Sequence, residues 1–156
     1  MTVTPRAAPS VIASGGPGVG TEELAASADL NTFFGVSLAL LVVRELDGRV
    51  VKASRAWFAS LGYQPGEIEG QGLLRLVHPD DMPGTLGSIV EVEERRPGDP
   101  VLGHVNRYRH KAGHYVTLEW RAQRFGERIY AVARDVTEKV AAERALMEAK
   151  AAAEEA

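Results

Sequence analysis

Residues 101–134 read VLGHVNRYRH, KAG, HYVTLEWRAQRF, GE and RIYAVAR, so that strand-like runs alternate with very short connections. The middle run is the most regular. Val116, Leu118, Trp120 and Ala122 fall on one side of an extended chain, and Thr117, Glu119, Arg121 and Gln123 fall on the other. A period of two marks a strand with one buried face. Lys111-Ala112-Gly113 and Gly126-Glu127 are short enough to turn each strand back on its neighbour. Three consecutive antiparallel strands are therefore predicted over 101–110, 114–125 and 128–134.

Upstream of this block the texture is different. Pro97-Gly98-Asp99-Pro100 closes a helix in which Met82, Leu86, Ile89 and Val90 recur at helical spacing. His78-Pro79-Asp80-Asp81 opens that helix: proline suits a first turn, and two carboxylates complement the helix dipole. Residues 64–77 are short and turn-rich. Before them, Ser54-Arg55-Ala56-Trp57-Phe58-Ala59-Ser60-Leu61-Gly62 reads as one short helix, with Ser54 as N-cap and Gly62 as the C-terminal stop. Trp57, Phe58 and Leu61 share a helical face. Residues 38–46 and 49–52 form a hairpin around Asp47-Gly48. A helix over 21–35 begins with Glu22 and Glu23 and can end at Gly35. Residues 1–20 hold few large apolar side chains and are expected to be a flexible leader. Two strands, several small helices and three antiparallel strands make an α+β domain, with a five-stranded antiparallel sheet and its helices grouped on one face.

The last stretch, 137–156, has neither Gly nor Pro and is rich in Ala and Glu. Arg144–Glu148 and Lys150–Glu154 can pair at i, i+4. Ala142, Leu146, Ala149, Ala153 and Ala156 follow a 4-3-4-3 spacing, a weak alanine-rich heptad seam. Both a solvent-exposed helix and the start of a parallel dimeric coiled coil fit it.

Composition removes whole classes of chemistry. The 156 residues contain no cysteine, so disulfides, thiol nucleophiles and cysteine-held metals are excluded. A net charge of −3 argues against a nucleic-acid binder. The apolar run at 36–43 is far short of the about 20 residues that span a bilayer, and no signal-peptide pattern opens the chain, so a cytoplasmic location away from the membrane is expected. Gly15-Gly16-Pro17-Gly18-Val19-Gly20-Thr21 imitates a phosphate loop but lacks its lysine. Asp80 and Asp81 are adjacent and suit a helix end better than a catalytic dyad. No nucleophile elbow is present. The chain is expected to be non-catalytic. His104 and His110 lie six residues apart on one strand, about 20 Å at strand rise, and cannot share a metal. His110 and His114 flank a turn without a nearby carboxylate, so no metal site is expected.

Several motifs occur in a telling order. Phe33-Phe34-Gly35-Val36-Ser37-Leu38, Asp47-Gly48, Ser54-Arg55-Ala56-Trp57, Leu61-Gly62-Tyr63, Glu67, Gly70 and His78-Pro79-Asp80-Asp81 come first. Arg107-Tyr108-Arg109-His110-Lys111-Ala112-Gly113, Leu118-Glu119-Trp120-Arg121 and Arg134-Asp135-Val136-Thr137-Glu138 follow. Together they resemble PAS domains of bacterial sensor histidine kinases, hybrid kinases included, over roughly 32–145. Ala39, Ser54 and Ala112 depart from the pattern, standing where relatives carry Asp, Asn and Asp. The organisation expected is a leader (1–20), an N-terminal helix (21–35), a PAS domain (36–136) and a signalling helix (137–156).

The resemblance implies a cavity between the sheet and the small helices. Trp57, Phe58, Leu61, Leu86, Ile89, Val116, Leu118 and Trp120 are the candidates to line it, or simply to fill the core. It also implies a relay at Asp135 and Thr137, where the last strand becomes the signalling helix. Both side chains are short enough to bond to backbone there, Thr137 as an N-cap. Arg121 is positioned to pair with Asp135 or with Glu119. A cysteine-linked flavin or chromophore is excluded. Heme-binding relatives use a histidine on the long helix, and 82–96 has none, so heme is not expected. Non-covalent FAD stays open. The functional expectation is a sensory module of a two-component phosphorelay that binds a small ligand or mediates dimerisation, and signals through its C-terminal helix to a kinase domain. A homodimer through the N- and C-terminal helices is expected. The alternatives are a ligand-free interaction module and the input domain of a diguanylate cyclase.

Overall fold

The computed structural model describes residues 20–155. The predicted leader, apart from Gly20, lies outside the described residues, as do most of the imitation phosphate loop and Ala156 of the heptad seam. The chain forms two compact units, one ending at Thr32 and the other running from Phe33.

Helix α1 (Thr21–Val36) continues through Gly35, where the sequence suggested an end, and stops one residue later. The Asp47-Gly48 hairpin joins β1 (Leu40–Glu45) to β2 (Val50–Ala53). Its turn is closed locally, since Asp47 Oδ1 accepts a hydrogen bond from the Arg49 N–H at 2.9 Å. Then come α2 (Ala56–Leu61) and α3 (Pro65–Ile68), two 3₁₀ turns at Leu74–Leu76 and Pro79–Asp81, and α4 (Met82–Glu94). Strands β3 (Val101–Arg109), β4 (Tyr115–Phe125) and β5 (Arg128–Asp135) form the predicted meander, and α5 (Thr137–Glu155) ends the described chain.

All five strands join one antiparallel sheet in the order β2-β1-β5-β4-β3. The early hairpin therefore docks against the last strand, with Val42 opposite Ala131 and Leu40 opposite Ala133. The inner face carries Leu40, Val42, Val116, Leu118, Trp120, Ala131 and Ala133, all buried. Trp57 and Leu61 of α2, both 0% exposed, fill the space against it. A smaller cluster of Val92, Val101 and Ile129 lies under α4.

Two residues at the ends of α2 fix its place. Gly62 takes φ 81° as the C-cap, and its N–H bonds back to the Phe58 carbonyl. A Cβ there would lie 3.0 Å from the His110 ring and 3.2 Å from Lys111 Cβ, so glycine answers both a backbone and a space requirement. Ser54 does not cap the helix; Arg55 holds the N-cap position without a side-chain bond. Ser54 is instead fully buried. Its hydroxyl accepts from the Leu41 N–H at 2.9 Å and donates to the Ala39 carbonyl at 3.2 Å, tying the start of α2 to β1. The hydroxyl is more valuable there because a buried backbone amide without a partner is costly.

Candidate ligand cavity and relay site

The inner face of the sheet and α4 line a half-open cavity of about 200 Å³. Its walls come from both hydrophobic clusters: Val42, Trp120 and Ala131 from one, Val92 and Ile129 from the other. Three aromatic rings back one side. Tyr108 and Trp120 lie 5.4 Å apart between centroids, and Trp57 lies 6.2 Å and 6.3 Å from them.

A chain of polar groups crosses this wall. Trp120 Nε1 donates to Asn106 Oδ1 at 2.8 Å, and Asn106 Nδ2 donates to Thr85 Oγ1 at 3.0 Å. Thr85 Oγ1 donates to the Asp81 carbonyl at 2.7 Å, with His104 Nε2 3.5 Å away. Burial pushes the His104 imidazole below its ordinary pKa, so it is neutral near pH 7. On another side of the cavity, Arg44 of β1 pairs with Glu93 of α4 at 3.3 Å. Tyr108 is almost fully buried, and burial pushes its phenol well above the ordinary range.

Of the residues predicted to line a pocket, Leu86, Ile89 and Trp120 do so. Trp57, Leu61, Val116 and Leu118 belong to the solid core beside it. Phe58 is 54% exposed and faces away, because α2 buries its i, i+4 pair of Trp57 and Leu61 and turns the intervening side chain outward. The sequence reading missed Arg44, Thr85, Asn106 and Tyr108. A signal was available for two of them: Asn106 and Tyr108 alternate on the same face of β3 as His104. His104, which the spacing along the strand separates from His110, is half-buried at the cavity wall. His110 and His114 do meet, stacked at 4.3 Å. Among the described residues no group of three or more His, Asp or Glu is arranged to hold a metal.

Asp81 serves neither a dyad nor a helix dipole alone. Its carboxylate accepts from Arg107 Nε at 2.9 Å, Arg107 Nη2 at 2.8 Å and the Arg107 backbone N–H at 2.8 Å. This bidentate pairing is the largest influence holding the Asp81 carboxyl below its usual pKa. It locks the entrance of α4 to β3.

At the junction of sheet and α5, Asp135 Oδ1 accepts from the Thr137 N–H at 2.9 Å. The Thr137 hydroxyl accepts from the Thr117 N–H of β4 at 3.0 Å, and the Val136 N–H donates to the Thr117 carbonyl at 2.8 Å. Thr137 is thus the first residue of α5, with its hydroxyl spent on the sheet rather than on capping its own helix. The expected Arg121 pairings do not form. Glu119 lies directly opposite Arg134 and pairs with it at 2.6 Å, which lowers the Glu119 pKa. Arg121 lies opposite Val132, and Asp135 lies opposite Leu118. Strand alternation therefore puts Arg121 and Asp135 on different faces.

A family model described as the PAS fold matches residues 50–132. Among solved structures, the PAS domain of a protein from Colwellia psychrerythraea is 21% identical, with a TM-score of 0.63 over 72% of this chain and 98% of that one. The PAS domain of an HTR-like protein from Haloarcula marismortui is 19% identical, with a TM-score of 0.61 over 73% and 94%. A domain of a sensory box sensor histidine kinase/response regulator from Geobacter sulfurreducens is 20% identical, with a TM-score of 0.60 over 74% and 100%. No curated protein matches the chain. With just over half of its 156 residues inside the matched segment, the chain belongs to the PAS-fold family.

Proposed function

We propose that this chain is a non-catalytic sensory module of a two-component histidine kinase, in which a small molecule held between the sheet and α4 changes the pose of α5. The observation that carries this reading is the clamp at Thr117, Asp135 and Thr137. The first residue of α5 is hydrogen-bonded to β4, and β4 also supplies Trp120 to the cavity wall. A shift of the sheet around a bound molecule is thereby delivered to a helix with no buried residue, which is free to engage a second copy or an output domain. Likeness to a sensor-kinase domain supports the choice of output. A chimera carrying residues 21–156 in place of the PAS domain of a sensor kinase tests it. Asp135→Ala changes autophosphorylation severalfold while the circular dichroism and melting of the isolated chain stay close to those of the parent. Unchanged autophosphorylation overturns the relay.

A second reading, an interaction module that works without a ligand, is favoured by one feature. The outer face of the sheet exposes Leu102, Val105, Tyr130 and Val132, an apolar group suited to a partner surface. Under that reading, substituting Val105 and Val132 by Asp dissociates the complex, and filling the cavity has no effect on output.

A further inference from the structure

The chemistry of the cavity narrows what it can hold. Its volume of about 200 Å³ compares with an apolar cavity of about 150 Å³ that takes benzene. One six-membered ring with a short substituent fills such a space. The walls are mainly aliphatic and aromatic: Val42, Leu73, Ile89, Val92, Ile129 and Ala131.

Nearly every polar group on these walls is already engaged. Asn106 uses its oxygen on Trp120 and its nitrogen on Thr85. Thr85 donates to the Asp81 carbonyl. Arg44 Nη1 and Nη2 both donate to Glu93 Oε1, and Asp47 holds the Arg49 amide. Ser88, on α4, is less deeply placed. The Tyr108 hydroxyl is different. The residue is 4% exposed, and the hydroxyl makes no hydrogen bond among the described residues, yet it is not sealed off as an orphaned buried atom. Tyr108 lines the cavity, and we read its unengaged hydroxyl as opening onto it. A phenol in this position is a donor and an acceptor together.

Charge is disfavoured. An anion would meet the Glu93 carboxylate, with Arg44 already neutralised by it and His104 uncharged. An ammonium would meet the Arg44 guanidinium, with Glu93 already committed. Either ion would also shed its hydration against aliphatic walls.

Resting on the cavity as a ligand site, we propose that it takes a small neutral molecule, a single ring bearing one hydroxyl or carbonyl, whose polar atom bonds to the Tyr108 hydroxyl. Titration of the full chain, followed by amide chemical shifts, tests this with four probes of matched size: benzyl alcohol, toluene, benzoate and benzylamine. Benzyl alcohol binds and shifts amides of α4, β3 and β5, and the two ions bind at least about tenfold more weakly. Tyr108→Phe removes one oxygen and keeps the ring packing. It weakens benzyl alcohol by about threefold to tenfold and leaves toluene unchanged. Ile89→Trp, which fills the cavity from α4, abolishes binding of both neutral probes. If benzoate binds as well as benzyl alcohol, or Tyr108→Phe is without effect, the ligand class is wrong while the cavity stands as a binding site. If none of the four probes binds, or binding survives Ile89→Trp, the cavity is not the ligand site.

Discussion

Individual residues in this domain are chosen by competition between local and long-range partners. Ser54 is the clearest case. Read along the chain it is a helix cap, but folded it abandons α2 for the backbone of β1. Ser54→Ala leaves the Leu41 amide without its acceptor in a fully buried spot, and is expected to cost about 1–3 kcal/mol in urea unfolding. Asp81 behaves similarly, since the adjacent acids suggested a helix dipole and the structure gives Asp81 to Arg107. Its folded pKa is held below its ordinary value of about 3.8. A depressed carboxyl contributes stability above the unfolded pKa and loses it as pH falls through the folded one. Asp81→Asn therefore lowers the Tm at pH 7, and the gap to the parent closes in strong acid. A gap that does not narrow as the pH falls below the ordinary carboxylate range contradicts this assignment. Side-chain partners of this kind have no signature in sequence, because 26 positions separate Asp81 from Arg107. Buried positions with a regular period were legible, as Val116, Leu118 and Trp120 show.

At the scale of elements, periodicity and turn chemistry located nearly every strand and helix. Asp47-Gly48 and the 111–113 turn announced their hairpins, and Gly62 announced the end of α2. The pairing of β1 with β5 was invisible locally, since no turn joins them and register is set by burial of both strands. Register also decided the ion pairs on the outer face: Arg134, directly across from Glu119, displaced Arg121. The same logic explains Thr137, whose hydroxyl meets a β4 amide that would otherwise end the sheet unpaired. Thr137→Val removes that bond while preserving shape. It is expected to raise amide exchange at Thr117 and in the first turn of α5 by about threefold to tenfold, with little change elsewhere. Uniformly faster exchange over the whole domain would show that the bond only supports global stability. Helix α5 buries nothing of its own, and Leu146 and Met147 are 57% and 71% exposed. The alanine-rich seam that includes Leu146 is expected to pair with a second copy. Light scattering then gives a dimer for the full chain and a monomer after truncation at 136; a monomeric full chain at high concentration removes the coiled coil from the account.

For the whole molecule, the sheet has two tasks that meet on β4. One face and edge shape a cavity with a neutral phenol at its wall, and one end of the same strand grips the start of α5. The direct test is hydrogen exchange of the full chain with and without saturating benzyl alcohol, read at 137–141. Binding is predicted to change protection there, and Thr137→Val is predicted to abolish that change while leaving the cavity amides responsive. Binding that alters amides of α4 and β3 but leaves 137–141 untouched in the parent chain would contradict the coupling of cavity to helix.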